Sequence, residues 1–219
     1  MSRWRDFWER RKLTRLRRSL QPSDPRLAAY LLNYARPPPQ TPLDQVRFVV
    51  LDTEATGLDT ANDRVLTIAA VAVVDGALRS DDSLELTIAR DRVGREAAPI
   101  HGMVSEDLAE GVDEAEATGQ FVEFLGNDIL VAHHAGFDRG ILSSACQRMG
   151  GPPLLNLVLD TESLSRRVEL GPVQPETNLR FSLDAVAERF SLETDARHTA
   201  AGDALLTAEL SWCRARFRS

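Results

Sequence analysis

Two short apolar segments constrain the fold of this chain more than any other feature. Residues 46–51 and Val65–Val74 are dominated by apolar, β-branched side chains, a pattern typical of strands buried on both faces. The pair Asp75-Gly76 predicts a hairpin turn into a third strand over residues 78–88. The segment therefore predicts three sequential strands, the last two joined by a tight turn.

Strands that alternate with helices are expected after this hairpin. We predict further strands over residues 129–132 and 157–159, and helices over residues 115–125, 137–149, 183–190 and 200–217. Hairpin strands followed by alternating strands and helices indicate an α/β domain with a mixed sheet.

The first 45 residues differ from the remainder. Residues 2–19 are rich in arginine with interleaved aromatics such as Trp4 and Trp8, which predicts a short amphipathic helix. A second short helix is expected over residues 25–34, with Asp24 as its N-cap. Prolines over residues 36–42 predict a stiff, extended linker. We expect a basic arm with its Pro-rich linker over residues 1–45 and the main domain over residues 46–219.

The charge is unevenly distributed. Residues 1–47 hold 11 basic and 4 acidic side chains, whereas the remaining residues hold 15 basic and 29 acidic side chains. A basic arm is thus joined to an acidic body. The negative charge of the body repels the phosphates of nucleic acid. If the body cuts nucleic acid, we expect bound metal to offset its carboxylates locally.

Several classes of protein are excluded by the same sequence. No apolar stretch approaches the ~18 residues of a membrane span, and the arginine-rich start lacks the apolar segment of a secretory signal. Cys146 and Cys213 form no CxxC pair, which argues against a cysteine-based zinc site. We expect a cytoplasmic protein with two reduced, largely buried thiols and no membrane partner.

Acidic residues follow two of the predicted strands. Asp52 and Glu54 lie two apart at the end of the first strand, so both side chains point to the same side, about 7 Å apart along the backbone. Hard divalent cations take oxygen ligands of this kind, although a solvated strand edge has the same pattern. Asp138 follows residues 130–132, in a loop or in the first helical turn, where an aspartate also stabilises a helix. For the adjacent His134 we favour a hydrogen-bonding role over a metal-binding role.

His198 and Asp203 lie five residues apart, so they need not share a helix face. If a helix begins near residue 199 or 200, Asp203 lies in its first turns and His198 lies on the loop before it. An imidazole there is suited to accept a proton near neutral pH, although it could equally be an ordinary surface histidine. Together, four carboxylates and one histidine are what a two-metal phosphodiester hydrolase requires.

With these residues in view, the chain resembles the DEDDh branch of the 3′–5′ exonuclease superfamily, which includes the epsilon proofreading subunit of bacterial DNA polymerase III. The similar segments, in the family's order, are residues 49–59, 100–103, 131–138, 160–161, 182–187 and 197–204. The resemblance implies a ribonuclease H-like fold, in which a mixed five-stranded sheet is flanked by helices on both sides, here with a short helical basic extension.

The resemblance also implies a catalytic set and its cofactors. Asp52, Glu54 and Asp203 would bind one divalent cation, Mg²⁺ or Mn²⁺, and Asp52 with Asp138 would bind a second. His198 would be the general base. Contacts to the substrate would come from Ala55, Thr56, Gly57, Leu58, His101 and His134. The family usually has Thr where Ala55 stands and Asn where His134 stands, so one hydroxyl near the substrate is lost and the polarity beside the site is altered.

The function expected from this resemblance is 3′–5′ hydrolysis of single-stranded DNA or frayed ends, with release of nucleoside 5′-monophosphates. Because the chain ends just past the last predicted helix, we expect a stand-alone enzyme or one recruited through its N-terminal arm. One alternative is an exoribonuclease that trims RNA or short oligoribonucleotides. Another, of a different class, is an inactive binding module that serves a polymerase.

Two interpretations of the arm stay open. In one, its arginines hold the phosphate backbone while Trp4 and Trp8 offer stacking surfaces for bases. In the other, the aromatics pack on the domain or on a protein partner, and the arginines form the solvated face. We favour the second slightly, because aromatics at helical spacing more often pack than stack on bases.

Overall fold

A computed structural model describes residues 2–38, 40–89, 111–171, 178–194 and 197–216, with the side chains of residues 2–7 and 212–216 excepted. Its sheet has the order β3-β2-β1-β4-β5. The first three strands pair antiparallel, whereas β1, β4 and β5 are parallel, which confirms the predicted mixed five-stranded sheet. The strands are β1 Arg47–Ala55, β2 Val65–Val74, β3 Ala77–Thr87, β4 Ile129–Ala132 and β5 Val158–Asp160. The predicted hairpin turn lies between β2 and β3, where Asp75 and Gly76 have φ angles of 49° and 66°.

In the described residues, the helices follow the predicted positions within a few residues, and the helix Thr161–Leu170 is added to them. They are α1 Ser2–Ser19, α2 Pro25–Asn33, α3 Glu114–Leu125, α4 Gly136–Arg148, α5 Thr161–Leu170, α6 Leu183–Arg189 and α7 Ala200–Arg216, with a 3₁₀ turn at Leu43–Gln45. We did not predict α5. Its N-cap is Asp160, whose carboxylate accepts a hydrogen bond from the backbone N–H of Glu162. An aspartate at the end of a strand was therefore the sequence signal for this helix.

One face of the sheet carries the main core. Successive side chains of a strand point to opposite faces, and Val49 and Leu51 of β1 lie on the same side as Leu130 of β4. They pack in one cluster with Phe121 of α3 and Ile141 of α4. Helices α3 and α4 therefore cover this face.

The opposite face is covered by α7. Val50, Val71 and Val131 of the sheet cluster with Ala208 of α7. Nearer the start of the helix, Ala200 and Ala204 pack on Ala69 of β2. Small side chains let α7 approach the sheet closely, and this approach fixes the position of its N-terminal end.

Helix α2 belongs to the folded body. Leu27 and Tyr30 are buried in the main core cluster with β1, α3 and α4. The Tyr30 hydroxyl donates to Asn156 at 2.6 Å, and the Arg26 guanidinium binds Glu116 of α3. Residues 1–45, which we predicted to be a basic arm with its linker, thus include a helix whose apolar face lies in the core.

The cysteines and the helices were also expected to have particular properties, namely buried thiols and no membrane span. Cys146 of α4 is a buried free thiol, as expected, and burial raises its pKa to about 12. The side chain of Cys213 lies outside the described residues. Within the part of the chain that the structure describes, no helix is both long enough and apolar enough to cross a membrane.

Candidate active site

The end of β1 presents two carboxylates on one side and a threonine on the other. Asp52 and Glu54 share the face of Val50, whereas Thr53 shares the face of Leu51. Asp52 stands directly opposite Ala69 of β2, the residue on which α7 packs. Asp52 and Glu54 are therefore directed to the face that the N-terminal end of α7 covers, and Thr53 is directed to the face of α4.

Helix α4 brings the third carboxylate. Because β1 and β4 are parallel, their carboxyl ends lie at the same edge of the sheet, and the turn after β4 leads into α4. Asp138 lies in the first turn of α4, as predicted, and is only 3% exposed. Its Oδ1 accepts hydrogen bonds from the backbone N–H of Thr53 at 3.1 Å and from the Thr53 hydroxyl at 2.8 Å. These two bonds fix Asp138 beside the strand that carries Asp52 and Glu54.

The N-terminal end of α7 brings the fourth carboxylate and the histidine. Asp203 is buried in the first turn of the helix, with its backbone N–H bonded to the carbonyl of Thr199. His198 is exposed on the turn before the helix, and its backbone N–H donates to Oδ1 of Asp203 at 3.3 Å. The φ angle of His198 is 66°, a left-handed conformation that is uncommon outside glycine. The predicted arrangement of this pair, with His198 on a loop and Asp203 in the helix, is confirmed.

The charges of the four carboxylates act on one another. Burial raises the pKa of Asp52, and the negative charges of Asp138, Asp203 and Glu54 raise it further. Burial also raises the pKa of Asp138, an effect that the hydrogen bonds from Thr53 oppose. The structure thus brings all four predicted acidic residues into one site, where their ionised forms repel.

Glu54 connects this cluster electrostatically to His198. Burial and the charge of Asp203 raise the pKa of Glu54 to about 7, while the charges of His198 and Arg197 lower it. The carboxylate of Glu54 is therefore within electrostatic range of both residues that precede α7.

Arg197 is a residue of the site that we did not predict. Its guanidinium forms an ion pair with Asp203 and a second with Asp184 of α6, the latter with 2.5 Å between Nε and Oδ1. The side chains of Arg197 and Asp203 are each 13% exposed, so the pair lies largely out of water. The signal in the sequence was a cation directly before His198.

The oxygen atoms of the four carboxylates are suitable ligands for a divalent cation. Four carboxylates supply the hard oxygen ligands that Mg²⁺ and Mn²⁺ prefer, and a bound cation would relieve their mutual repulsion. In the described parts of the chain, however, no three His, Cys, Asp or Glu side chains form a preformed metal site. The ion pair with Arg197 shows how Asp203 is neutralised in this arrangement.

A cleft of about 610 Å³ lies beside the ends of β4 and β5, and none of the four carboxylates nor His198 lines it. His134 lies in its wall, with its backbone N–H bonded to Asp160 and its Nδ1 2.9 Å from Glu162 Oε2. The hydrogen bond to Glu162 raises the pKa of His134. His134 thus makes hydrogen bonds to Asp160 and Glu162, which is the kind of contact that we expected of it. Other residues that line the cleft are His133, Arg166, Leu179, Phe181 and Leu183.

The loop after β1 holds most of the expected substrate contacts. Ala55 is buried, and the Thr56 hydroxyl donates to Asp63 at 2.8 Å, so both help to shape the loop. A Cβ atom at Gly57 would lie only 2.5 Å from the Asp63 carboxylate, so a larger residue there would displace the side chain that Thr56 and Asp59 hold by hydrogen bonds. Leu58 is 87% exposed and is therefore accessible to a ligand. His101 and the segment over residues 100–103 lie outside the described residues.

Comparison with known proteins identifies the family. The model of the RNase_T exonuclease family matches residues 49–211. A DNA polymerase III subunit epsilon-like protein from Rhodobacter capsulatus is 36% identical over 174 residues, which cover 78% of this chain and 24% of that protein. A PolC-type DNA polymerase III from Halalkalibacterium halodurans is 32% identical over 181 residues, with coverage of 78% and 11%. The chain thus spans a quarter or less of the length of these relatives.

Solved structures share the fold. A complex of Escherichia coli exonuclease I with single-stranded DNA, in its zinc-bound form, matches with a TM-score of 0.69 at 17% identity, over 80% of this chain and 41% of that one. Exonuclease X in complex with 5′-overhanging duplex DNA matches with a TM-score of 0.58 at 22% identity, over 80% of this chain and 93% of that one. These matches confirm the ribonuclease H-like fold. The chain belongs to the RNase_T exonuclease family, a family of 3′–5′ exonucleases that hydrolyse phosphodiester bonds.

Proposed function

We propose that this protein removes nucleotides from the 3′ end of single-stranded DNA or frayed ends and releases nucleoside 5′-monophosphates. The observation that carries the proposal is the convergence of Asp52, Glu54, Asp138 and Asp203 with His198 from three separate elements, β1, α4 and α7. Burial of several mutually repelling carboxylates is costly in a structural role and is common where cations and phosphates are handled.

The carboxylates are the proposed ligands of two divalent cations, Mg²⁺ or Mn²⁺. Asp52, Glu54 and Asp203 would hold one cation, and Asp52 with Asp138 would hold the other. When bound, such cations lower the pKa of a water molecule and stabilise charge on the phosphate oxygens. The two hydrogen bonds from Thr53 orient Asp138 for this role.

His198 is the proposed general base. Its position on an exposed turn leaves the imidazole accessible to a water molecule, while the backbone bond to Asp203 keeps the turn against the carboxylates. A neutral ring nitrogen of His198 would accept the proton of the attacking water, a step that contributes roughly 10²–10⁴-fold to a rate. The left-handed backbone at His198 is the kind of local strain that recurs at functional sites.

The loop after β1 is the proposed binding site of the terminal nucleotide. Leu58 would pack against the base, because its side chain is exposed and apolar and follows, by three residues, the strand that carries Asp52 and Glu54. The backbone around Thr56 and Gly57, held by Asp63, would keep the loop in place. Ala55 offers a methyl group only, and it is turned into the core. His134 would contact the substrate from the cleft on the Asp138 side.

The choice of DNA rests on the relatives. Two relatives in sequence are named for DNA polymerase III, and two exonucleases of the same fold were solved with bound DNA. DNA is therefore the favoured substrate of this chain, with RNA as the alternative that the experiment must separate.

The direct test compares matched single-stranded DNA and RNA, each labelled once at the 5′ end and once at the 3′ end, with Mg²⁺ or Mn²⁺. We expect the 5′-labelled DNA to shorten stepwise and the 3′-labelled DNA to release labelled mononucleotide at once. Faster shortening of RNA would favour an exoribonuclease. No cleavage of either substrate in single-turnover reactions with Mn²⁺ would favour the inactive binding module.

A further inference from the structure

Helix α1 is attached to the body through one face. Leu13 packs against the main core cluster. The Arg17 guanidinium donates from Nε to the carbonyl of Leu31 and from Nη2 to the carbonyl of Tyr34, each at 3.0 Å. These two carbonyls lie at the C-terminal end of α2, where backbone acceptors lack partners within the helix. Arg17 therefore joins α1 to α2 and has a structural role.

The face of α1 that turns away from the body is basic. Arg11, Arg15 and Arg18 are spaced four and three residues apart, so they share one side of the helix, and all three are exposed. Trp8 belongs to the same side, is 59% exposed and lies 5.8 Å from the guanidinium of Arg11. We call these four residues, Trp8, Arg11, Arg15 and Arg18, the basic face of α1.

We propose that the basic face of α1 binds the phosphate backbone of the nucleic acid strand upstream of the 3′ end that is being cut. This inference rests on the proposed exonuclease function and adds a second contact region to it. Guanidinium groups match the geometry of phosphate oxygens, and an exposed tryptophan offers a stacking surface for a base.

Charge complementarity favours nucleic acid as the occupant. Residues 1–47 carry a balance of +7, and the remaining residues carry −14. A polyanion is therefore repelled by most of the molecule and attracted by the arm. An acidic active site has particular need of such a contact, because its carboxylates repel the substrate until cations are bound.

The basic face ends at Arg18, five residues before a contact of the chain with the end of α4 that lies opposite Asp138. The chain that follows α1 contacts the C-terminal end of α4, where Ser23 donates to the carbonyl of Met149 at 3.1 Å from its backbone N–H. Asp138 lies at the other end of α4, and 13 residues of helix span roughly 20 Å. At ~3.4 Å per stacked nucleotide, a strand must extend roughly six nucleotides from the site to reach this end of the molecule.

This separation makes the proposal testable through substrate length. We would measure anisotropy of labelled single-stranded DNA of 4 and of 24 nucleotides, bound to the full chain in EDTA over a range of salt concentrations. The test variant carries Arg11→Gln, Arg15→Gln and Arg18→Gln. A second variant carries Lys at the same three positions and keeps the charge. Thermal midpoints of both variants would show that the fold is intact.

The expected result depends on length. For the 24-mer, the Gln variant should bind about tenfold more weakly, and its slope of log K against log salt should be shallower by about 2, at ~0.7 per lost phosphate contact. The Lys variant should retain most of that slope, and binding of the 4-mer should be the same in all three proteins. Stepwise cleavage of the 4-mer should also be unchanged.

Other outcomes would overturn the proposal. Equal binding and equal salt slopes of the three proteins on the 24-mer would do so, even while cleavage of the 4-mer shows that the proposed function stands. The proposal would also be overturned if the Gln variant bound DNA as the wild type does but lost binding to vesicles of phosphatidylserine and phosphatidylcholine. That result would assign the face to a membrane surface. An equal loss on the 4-mer and the 24-mer would place the three arginines at the active site and contradict the separation.

Discussion

The guanidinium of Arg197 forms an ion pair with the carboxylate of Asp203, a proposed ligand of the first cation. A second carboxylate, Asp184 of α6, holds the same guanidinium from the other side. Arg197 therefore supplies positive charge to the carboxylate of Asp203. A cation that binds Asp203 must compete with this pair.

This competition predicts the behaviour of Arg197→Gln. Removal of one partner of a buried ion pair costs about 3–5 kcal/mol, so the variant should unfold at a lower temperature in EDTA. Because the competing guanidinium is absent, Mn²⁺ should raise the thermal midpoint of this variant more than it raises that of the wild type. Thermal unfolding in EDTA and with Mn²⁺ checks both effects, with Arg197→Lys as the charge-retaining control. An equal Mn²⁺-dependent shift in the wild type and the Gln variant would show that Arg197 does not compete with the cation.

A second prediction concerns His198. Its side chain is exposed, so His198→Ala should fold with unchanged stability and bind Mn²⁺ as the wild type does. The rate of the chemical step should fall about 10²–10⁴-fold, because no base accepts the proton of the attacking water. Single-turnover cleavage measures this rate. A loss of less than tenfold would assign proton transfer to another group.

The pH dependence of stability gives a third prediction. In the metal-free protein the pKa of Glu54 is raised from 4.5 to about 7, so its protonated form is favoured in the folded state. The folded state then binds more protons than the unfolded state, and stability at this site declines as the pH rises from about 4.5 to about 7. Glu54→Gln should flatten this decline in urea unfolding in EDTA. With Mn²⁺ the trend should reverse for the wild type, because the cation binds the ionised carboxylate.

A fourth prediction tests whether α2 belongs to the domain. Leu27 is fully buried in the main core cluster, so Leu27→Ala should cost about 2–5 kcal/mol in the free energy of unfolding. Leu32, on the same helix, is 61% exposed, and Leu32→Ala should change that free energy by about 0.5 kcal/mol or less. Urea unfolding compares the two variants. Equal effects would mean that α2 is a detachable part of the arm.

A fifth prediction concerns the loop after β1. Leu58 is 87% exposed, so Leu58→Ala should leave the thermal midpoint unchanged. If the side chain packs on the terminal base, its loss should raise KM on the order of tenfold, since burial of a leucine contributes about 1.5–3 kcal/mol. Leu43, which is 72% exposed in the 3₁₀ turn, offers a matched control. A KM that changes equally in Leu43→Ala and Leu58→Ala would remove Leu58 from the substrate site.

The sequence predicted those parts of the site that depend on local periodicity. Residues two apart on a strand share a face, which placed Asp52 and Glu54 together, and the apolar segment before Asp138 marked the strand that precedes α4. The hairpin signal and the later alternation of strands and helices were enough to predict a mixed sheet. They did not predict the order of the strands, which depends on how the strands pair. The placement of Asp52 and Glu54 needed only their spacing, because residues two apart on a strand point to the same face.

Long-range partners could not be predicted in the same way. Nothing in the residues around Arg197 shows that its guanidinium reaches Asp184 on another helix. Likewise, Asp24 as an N-cap predicted a helix over residues 25–34, but it did not predict the surface that Leu27 and Tyr30 of this helix would cover. The proline-rich segment after α2 suggested a boundary at about residue 45, whereas tertiary packing places α2 inside the body.

We propose that four carboxylates and His198 form one exonuclease site. The most direct test of this site follows 5′-labelled single-stranded DNA on a gel with Mn²⁺, for the wild type, Asp52→Ala and His198→Ala, beside calorimetric titration of each protein with Mn²⁺. We predict a ladder that shortens from the 3′ end for the wild type and is lost in both variants, with weakened Mn²⁺ binding only in Asp52→Ala. A ladder that persists in both variants, or a wild type that binds Mn²⁺ and cuts nothing, would contradict the account.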